Sequence, residues 1–131
     1  MKIFCIVALL LLNASSASSK TSNRQLLLSM HKELDAMCRG GYGNRPSTDE
    51  ACRVRDSVSI ILSNQRAGVR KSQSNEDLAL SIYKDLDAMC RGGYGDRPET
   101  QQACDVRNKA TALLRNMGYC WRSAWWKKCR A

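Results

Sequence analysis

The segment Leu34–Pro46, LDAMCRGGYGNRP, returns at Leu86–Pro98 as LDAMCRGGYGDRP, 52 positions further along the chain. A sequence that repeats at a fixed offset is built from one supersecondary unit. Two copies of such a unit bury their apolar faces against each other, whereas a solenoid needs three or more. Further matches at the same offset flank the segment. Ser22-Asn23 matches Ser74-Asn75, Leu28-Ser29 matches Leu80-Ser81, Lys32 matches Lys84, and Ala51-Cys52 matches Ala103-Cys104. Residues 22–73 are read as repeat 1, 74–118 as repeat 2, and 119–131 as a tail that the duplication does not explain.

Within each unit the apolar residues recur at helical spacing. Leu78, Ile82, Leu86 and Met89 form one face of a helix ending near Cys90, and Leu27, Met30, Leu34 and Met37 form its copy ending near Cys38. Ser74-Asn75-Glu76-Asp77 reads as a capped helix start with acids at the positive end of the dipole. Gly40-Gly41 and Gly92-Gly93 are expected to supply the positive φ that closes a helix. After each Pro a second helix follows, with Ser47 and Glu50 as a capping box in the first unit. Its buried face is Ala51, Val54, Val58 and Ile61-Leu62, echoed by Ala103, Val106, Ala110 and Leu113-Leu114. Gln65–Gln73 reads as an exposed linker. The expected fold is all-α: two duplicated αα-hairpins packed as an antiparallel four-helix arrangement, plus the tail.

The start of the chain has a different character. Met1-Lys2 precedes an apolar run from Ile3 to Leu12 and the small polar stretch Asn13–Ser18, the pattern of a secretory leader cleaved near Ala17. The run is shorter than the roughly 20 apolar residues a membrane span needs. Residues 1–18 are read as signal peptide and 19–131 as a single helical domain with no transmembrane segment. Removing the leader takes one lysine and one cysteine, leaving 20 basic residues against 12 acidic ones, a net +8, and six cysteines. An even cysteine count behind a leader describes a disulfide framework in an oxidising compartment. Cys38, Cys52, Cys90, Cys104, Cys120 and Cys129 allow 15 pairings. For a duplicated unit the simplest is Cys38 with Cys52, Cys90 with Cys104, and Cys120 with Cys129.

Other chemistries fit the residues poorly. A zinc site would want a Cys-x-x-Cys pair and more than the one histidine, and a thiol catalyst would want the same motif. The Gly-Gly-Tyr-Gly loop lacks the spacing of a phosphate cradle and follows a helix rather than a strand. Arg45 and Arg97 are expected to pack on Tyr42 and Tyr94. His31 becomes Tyr83 in the second copy, and Asp35 and Asp87 are read onto an exposed face. No catalytic, cofactor or metal residues are therefore assigned.

The tail holds all three tryptophans. Trp121, Arg122, Trp125, Trp126, Lys127 and Lys128 combine apolar area, indole N–H groups and cations, which suits an anionic envelope surface, a peripheral membrane contact or a protein partner. The competing reading places Trp121 and Trp125 four apart on a helix, as a lid over the core. Nucleic acid is not expected, because no recognition motif accompanies the charge.

The run Cys90-Arg-Gly-Gly-Tyr-Gly-Asp-Arg-Pro98, then Ala103-Cys104-x-x-Arg107, Leu113-Leu114, Gly118-Tyr119-Cys120-Trp121 and a Trp-containing end closed by Cys129, resembles small exported Cys-rich proteins of Gram-negative bacteria. The resemblance covers Leu86–Cys129, and the first unit as far as Val58. It implies a periplasmic location and no particular activity. The expectation is an exported, non-enzymatic binding protein, periplasmic or secreted, whose basic surface engages an anionic envelope or protein partner. The alternatives are a membrane-active, toxin-like cationic protein and an inhibitor of an exported enzyme such as a lysozyme. Like-charge repulsion from basic lysozymes weighs against the inhibitor.

Overall fold

The computed structural model describes residues 21–40, 46–68, 73–93, 95 and 97–130, with the side chains of residues 46 and 47 set aside. The leader, the Ser47 cap and the rings of Tyr42 and Tyr94 lie outside the described residues. Among the described residues four helices are observed: α1 (Asn23–Arg39), α2 (Pro46–Arg66), α3 (Gln73–Gly92) and α4 (Pro98–Asn116). A two-stranded hairpin of β1 (Tyr119–Arg122) and β2 (Trp125–Lys128) follows.

Each helix packs on two others, in the ring α1, α2, α3, α4 and back to α1. The contact of α1 with α4 has its repeat-related counterpart in α3 with α2, so the two units meet as the halves of a pseudo-twofold pair. Neighbours run antiparallel. Asp35 near the end of α1 meets Arg55 in the first half of α2, and Cys38 at the end of α1 is bridged to Cys52 still nearer the α2 start. Lys109 of α4 donates to Ser29 and Glu33 of α1, and Asn116 reaches back to the Thr21 carbonyl.

The core is the one the periodicity describes. Leu27, Met30, Leu34 and Met37 of α1 are buried, as are Ala51, Val54, Val58 and Ile61 of α2. In the second unit Ile82 and Leu86 join Ala103, Val106, Ala110, Leu113 and Leu114. Leu26, Ala79 and Thr100 extend the buried faces, while Leu62, Leu78 and Met89 are only partly covered. Burying a side chain of this size contributes about 1.5–3 kcal/mol. The faces of both units are needed to close the centre.

The disulfides are Cys38–Cys52, Cys90–Cys104 and Cys120–Cys129. The first two join helix ends across the repeated corners, at the end of the bundle opposite the linker and hairpin.

Local details depart from the expected ones. Ser74 lies inside α3, which begins at Gln73. The cap forms instead at Ser22, whose hydroxyl accepts from the Gln25 N–H while the Gln25 side chain accepts from the Ser22 N–H. Among the described corner glycines, Gly40, Gly92 and Gly93 are not at positive φ: Gly40 has φ −80°, and the positive-φ glycines among the described residues are Gly68 and Gly118, while Gly41 lies outside the described residues. Gly92 is helical, and the need at Gly93 is for space, since a Cβ there would lie 2.2 Å from Thr100 Oγ1. Gly93→Ala is therefore expected to destabilise by about 1–3 kcal/mol. Gly92→Ala, which meets nothing within 4 Å, should be neutral or stabilise by up to about 1 kcal/mol. Urea unfolding of the two variants checks the contrast.

Candidate functional site

The tail is a β-hairpin, which corrects the helical spacing proposed for Trp121 and Trp125. Tyr119 pairs with Lys128, Cys120 with Lys127, Trp121 with Trp126 and Arg122 with Trp125. The turn residues Ser123 and Ala124 have φ 50° and 67°, the signs of the type I′ turn that suits the right-handed twist of paired strands. Asn-Gly is the usual occupant, so this turn is carried at a cost by residues that rarely adopt positive φ. The open end is held shut by Cys120–Cys129, and the Cys129 N–H donates to the Gly118 carbonyl at 2.8 Å.

Strand alternation gives the hairpin two faces. Tyr119, Trp121, Trp126 and Lys128 share the inner one. Trp126 meets Tyr83 of α3 edge-on at 5.3 Å and Trp121 at 5.4 Å, while Trp121 lies 5.9 Å from Tyr83. Such aromatic pairs add about 0.5–1.5 kcal/mol each beyond the area they bury. Trp126 Nε1 is enclosed with no acceptor among the described residues, so packing rather than hydrogen bonding holds this ring. Tyr119 Oη and Lys128 Nζ donate to the two oxygens of Glu76, at 2.9 and 2.7 Å. The Lys128 ammonium also lies 4.4 Å from the centre of the Tyr119 ring. Trp126 and Lys128 thus anchor the hairpin to α3.

The outer face carries Arg122, Trp125 and Lys127 beside the disulfide. Trp125 is 70% exposed, and the inner-face Trp121 remains 45% exposed at the rim. Arg122 and Lys127 meet no carboxylate among the described residues. The arrangement is a cationic, aromatic projection on a hairpin closed by a disulfide and tied to Glu76.

Burial first, and then the hydrogen bond to Glu76, push the Tyr119 phenol up to about 12. A phenol whose folded pKa lies above its unfolded value of 10.0 contributes stability that is intact below pH 10 and is lost as the pH rises towards 12. Absorbance titration should show a late phenolate step near pH 12 that disappears in Tyr119→Phe, accompanied by undocking of the hairpin.

The acids read as exposed are instead bridging groups. Asp35 accepts from Arg39 on its own helix and from Arg55 on α2, and Asp87 accepts in the same way from Arg91 and Arg107. Burial pushes the Asp35 carboxyl up, but hydrogen bonds from Arg55 and Arg39 outweigh it and hold the group below its ordinary value. Its ion pairing is therefore present at neutral pH and lost only as the pH falls through that depressed value. Arg55 also lies 3.1 Å from Cys38 Sγ, so in the first repeat a disulfide and an Asp–Arg bridge lie side by side, and the second repeat carries Cys90–Cys104 and Asp87–Arg107 at the equivalent positions. These acids are structural in position. Arg97 occupies the N-cap position of α4 without a side-chain capping hydrogen bond, and lies 4.0 Å from Glu99.

A cleft of about 540 Å³ opens at the linker end, between Arg24, Gln65, Asn75, Glu76, Asn116 and Lys128, over Ile61 and Leu113. Among the described residues no group of three His, Cys, Asp or Glu side chains is placed to hold a metal. No helix among them is long and apolar enough to cross a membrane. Compared with protein families, curated proteins and solved structures, the chain matches none.

Proposed function

We propose that this protein is an exported, non-enzymatic binding module whose hairpin engages an anionic partner through Arg122, Trp125 and Lys127. The observation that carries the reading is the division of the hairpin into an anchored face and a projecting one. A tryptophan left 70% exposed between two cations, on a hairpin fixed by a disulfide and by Glu76, is organised for contact. Rigid aromatic anchors lose little entropy on binding, and they dominate interface energetics. The three disulfides and the leader-like start support export to an oxidising compartment. The net +8 of the chain without its leader supports an anionic partner.

The same projection supports a second reading, in which Trp125 enters a lipid interface and the protein is membrane-active. Co-purification of the tagged, oxidised protein from its native envelope separates the two. Retention of a single acidic protein, weakened by salt and lost when Arg122, Trp125 and Lys127 are all Ala, supports the binding module. Retention of lipid alone, with leakage from anionic vesicles, supports the second reading. Equal retention of the variant and the parent contradicts both.

A further inference from the structure

The pseudo-twofold points to a surface that, among the described residues, only the second unit covers. In the second unit the hairpin lies over a stripe on α3 formed by Glu76, Leu80 and Tyr83, residues four and three apart that share one helical face. Glu76 receives Tyr119 and Lys128, and Tyr83 receives Trp121 and Trp126. Leu80 lies between them and is partly buried against the core, and Leu114 of α4 is fully buried. The equivalent positions of the first unit, 52 residues earlier, are Arg24, Leu28, His31 and Leu62. Among the described residues no hairpin follows α2. Leu28 is 45% exposed, and Leu62 is only partly buried where its counterpart is closed. Leu28 is one of the few large apolar side chains that the described structure leaves open.

We propose that this α1–α2 face at the linker end is a second docking surface, which takes an acidic polypeptide segment bearing an aromatic or apolar side chain. The chemistry of the occupant follows from the charges that differ between the two seats, Glu76 becoming Arg24 and the adjacent Asp77, which also acts on Tyr119, becoming Gln25. Where α3 offers Glu76 to Lys128, α1 offers Arg24, which meets no carboxylate among the described residues. A segment lying here as the hairpin lies on α3 meets a guanidinium where Lys128 meets a carboxylate, so it must bring an acid. The same inversion disfavours the hairpin of a second copy of this chain, whose Lys128 would face Arg24 at like charge. The apolar half of the seat, Leu28 and Leu62, asks for what Trp126 supplies on the other side. The two seats are separate from the outer face of the hairpin, and a Trp125→Ala variant leaves this one intact.

The test uses the oxidised protein and two disulfide-closed peptides with the sequence of residues 118–129, one unchanged and one carrying Lys128→Glu. Binding is read from the Leu28 methyl and His31 ring resonances. The Lys128→Glu peptide is expected to shift both and to bind roughly fivefold or more tightly than the unchanged one. In Arg24→Glu the preference should reverse, and in Leu28→Ser, an exposed position where the fold persists, binding should be lost. A linear probe rich in glutamate and tryptophan serves as a second ligand that needs no hairpin of its own. Equal affinity for the two peptides, shifts that map elsewhere, or no shift at Leu28 and His31 with any of the three probes overturns the proposal.

Discussion

Replacing Cys38, Cys52, Cys90 and Cys104 with serine while keeping Cys120–Cys129 closed is expected to leave the chain largely unfolded at about 37 °C. Each corner bridge joins residues 14 apart, and closing a loop of that size stabilises by roughly 3 kcal/mol in the chain-entropy model. Two such losses amount to roughly 6 kcal/mol, against a total of about 5–15 kcal/mol for ordinary domains. A four-helix core of this size belongs near the lower end of that range. The Asp35–Arg55 and Asp87–Arg107 bridges beside the disulfides cannot substitute, because all four groups are partly open to water, where ion pairs contribute little. Opening one corner should cost about half as much as opening both, since the two bridges close loops of equal length. Far-UV circular dichroism during a thermal melt reads both results. A fourfold-serine variant that melts within a few degrees of the parent would show that the core alone carries the fold.

Leu34→Ala and Leu86→Ala are expected to destabilise by about 2–5 kcal/mol each, and by similar amounts. Both side chains are fully buried, occupy equivalent places in the two repeats, and lie one turn before the corner disulfides. Replacing either removes several methylenes and leaves a cavity, because its neighbours are held by the opposing unit. Urea midpoints should fall in parallel with unchanged slopes, which marks a loss of stability rather than a change in the unfolded state. A large difference between the two variants would mean that the units are not energetically equivalent halves.

The helical part of this architecture is legible because it is written twice. A pattern at i, i+3 and i+4 in one copy could be chance, but Leu34 and Leu86, or Val54 and Val106, repeating it at a constant offset leave one buried face per helix. The same offset pairs the corner cysteines. Two features were hidden for physical reasons. Asp35 and Asp87 read as exposed because their partners, Arg55 and Arg107, are brought to them only by the packing of one helix on the next. The hairpin was hidden because its turn uses Ser123-Ala124 in place of the Asn-Gly that announces a type I′ turn. The available signal was the nine-residue separation of Cys120 and Cys129 around a stretch rich in Trp, a residue favoured in strands. The glycines illustrate a third limit: Gly93 is required by contact with Thr100, a constraint of tertiary packing that no local pattern carries.

The division of labour within the tail is the claim on which the functional reading depends, and Trp125 and Trp126 are adjacent residues on opposite faces of it. The most direct test measures partner retention and thermal stability side by side for Trp125→Ala and Trp126→Ala. Trp125→Ala should retain the parent's melting temperature and lose binding, by at least about 2 kcal/mol if the exposed ring is the anchor. Trp126→Ala should lose about 2–3 kcal/mol of stability through the vacated space against Tyr83 and Trp121. Unchanged binding in Trp125→Ala, or a loss of stability there equal to that of Trp126→Ala, would contradict the account and make the whole hairpin a structural cap.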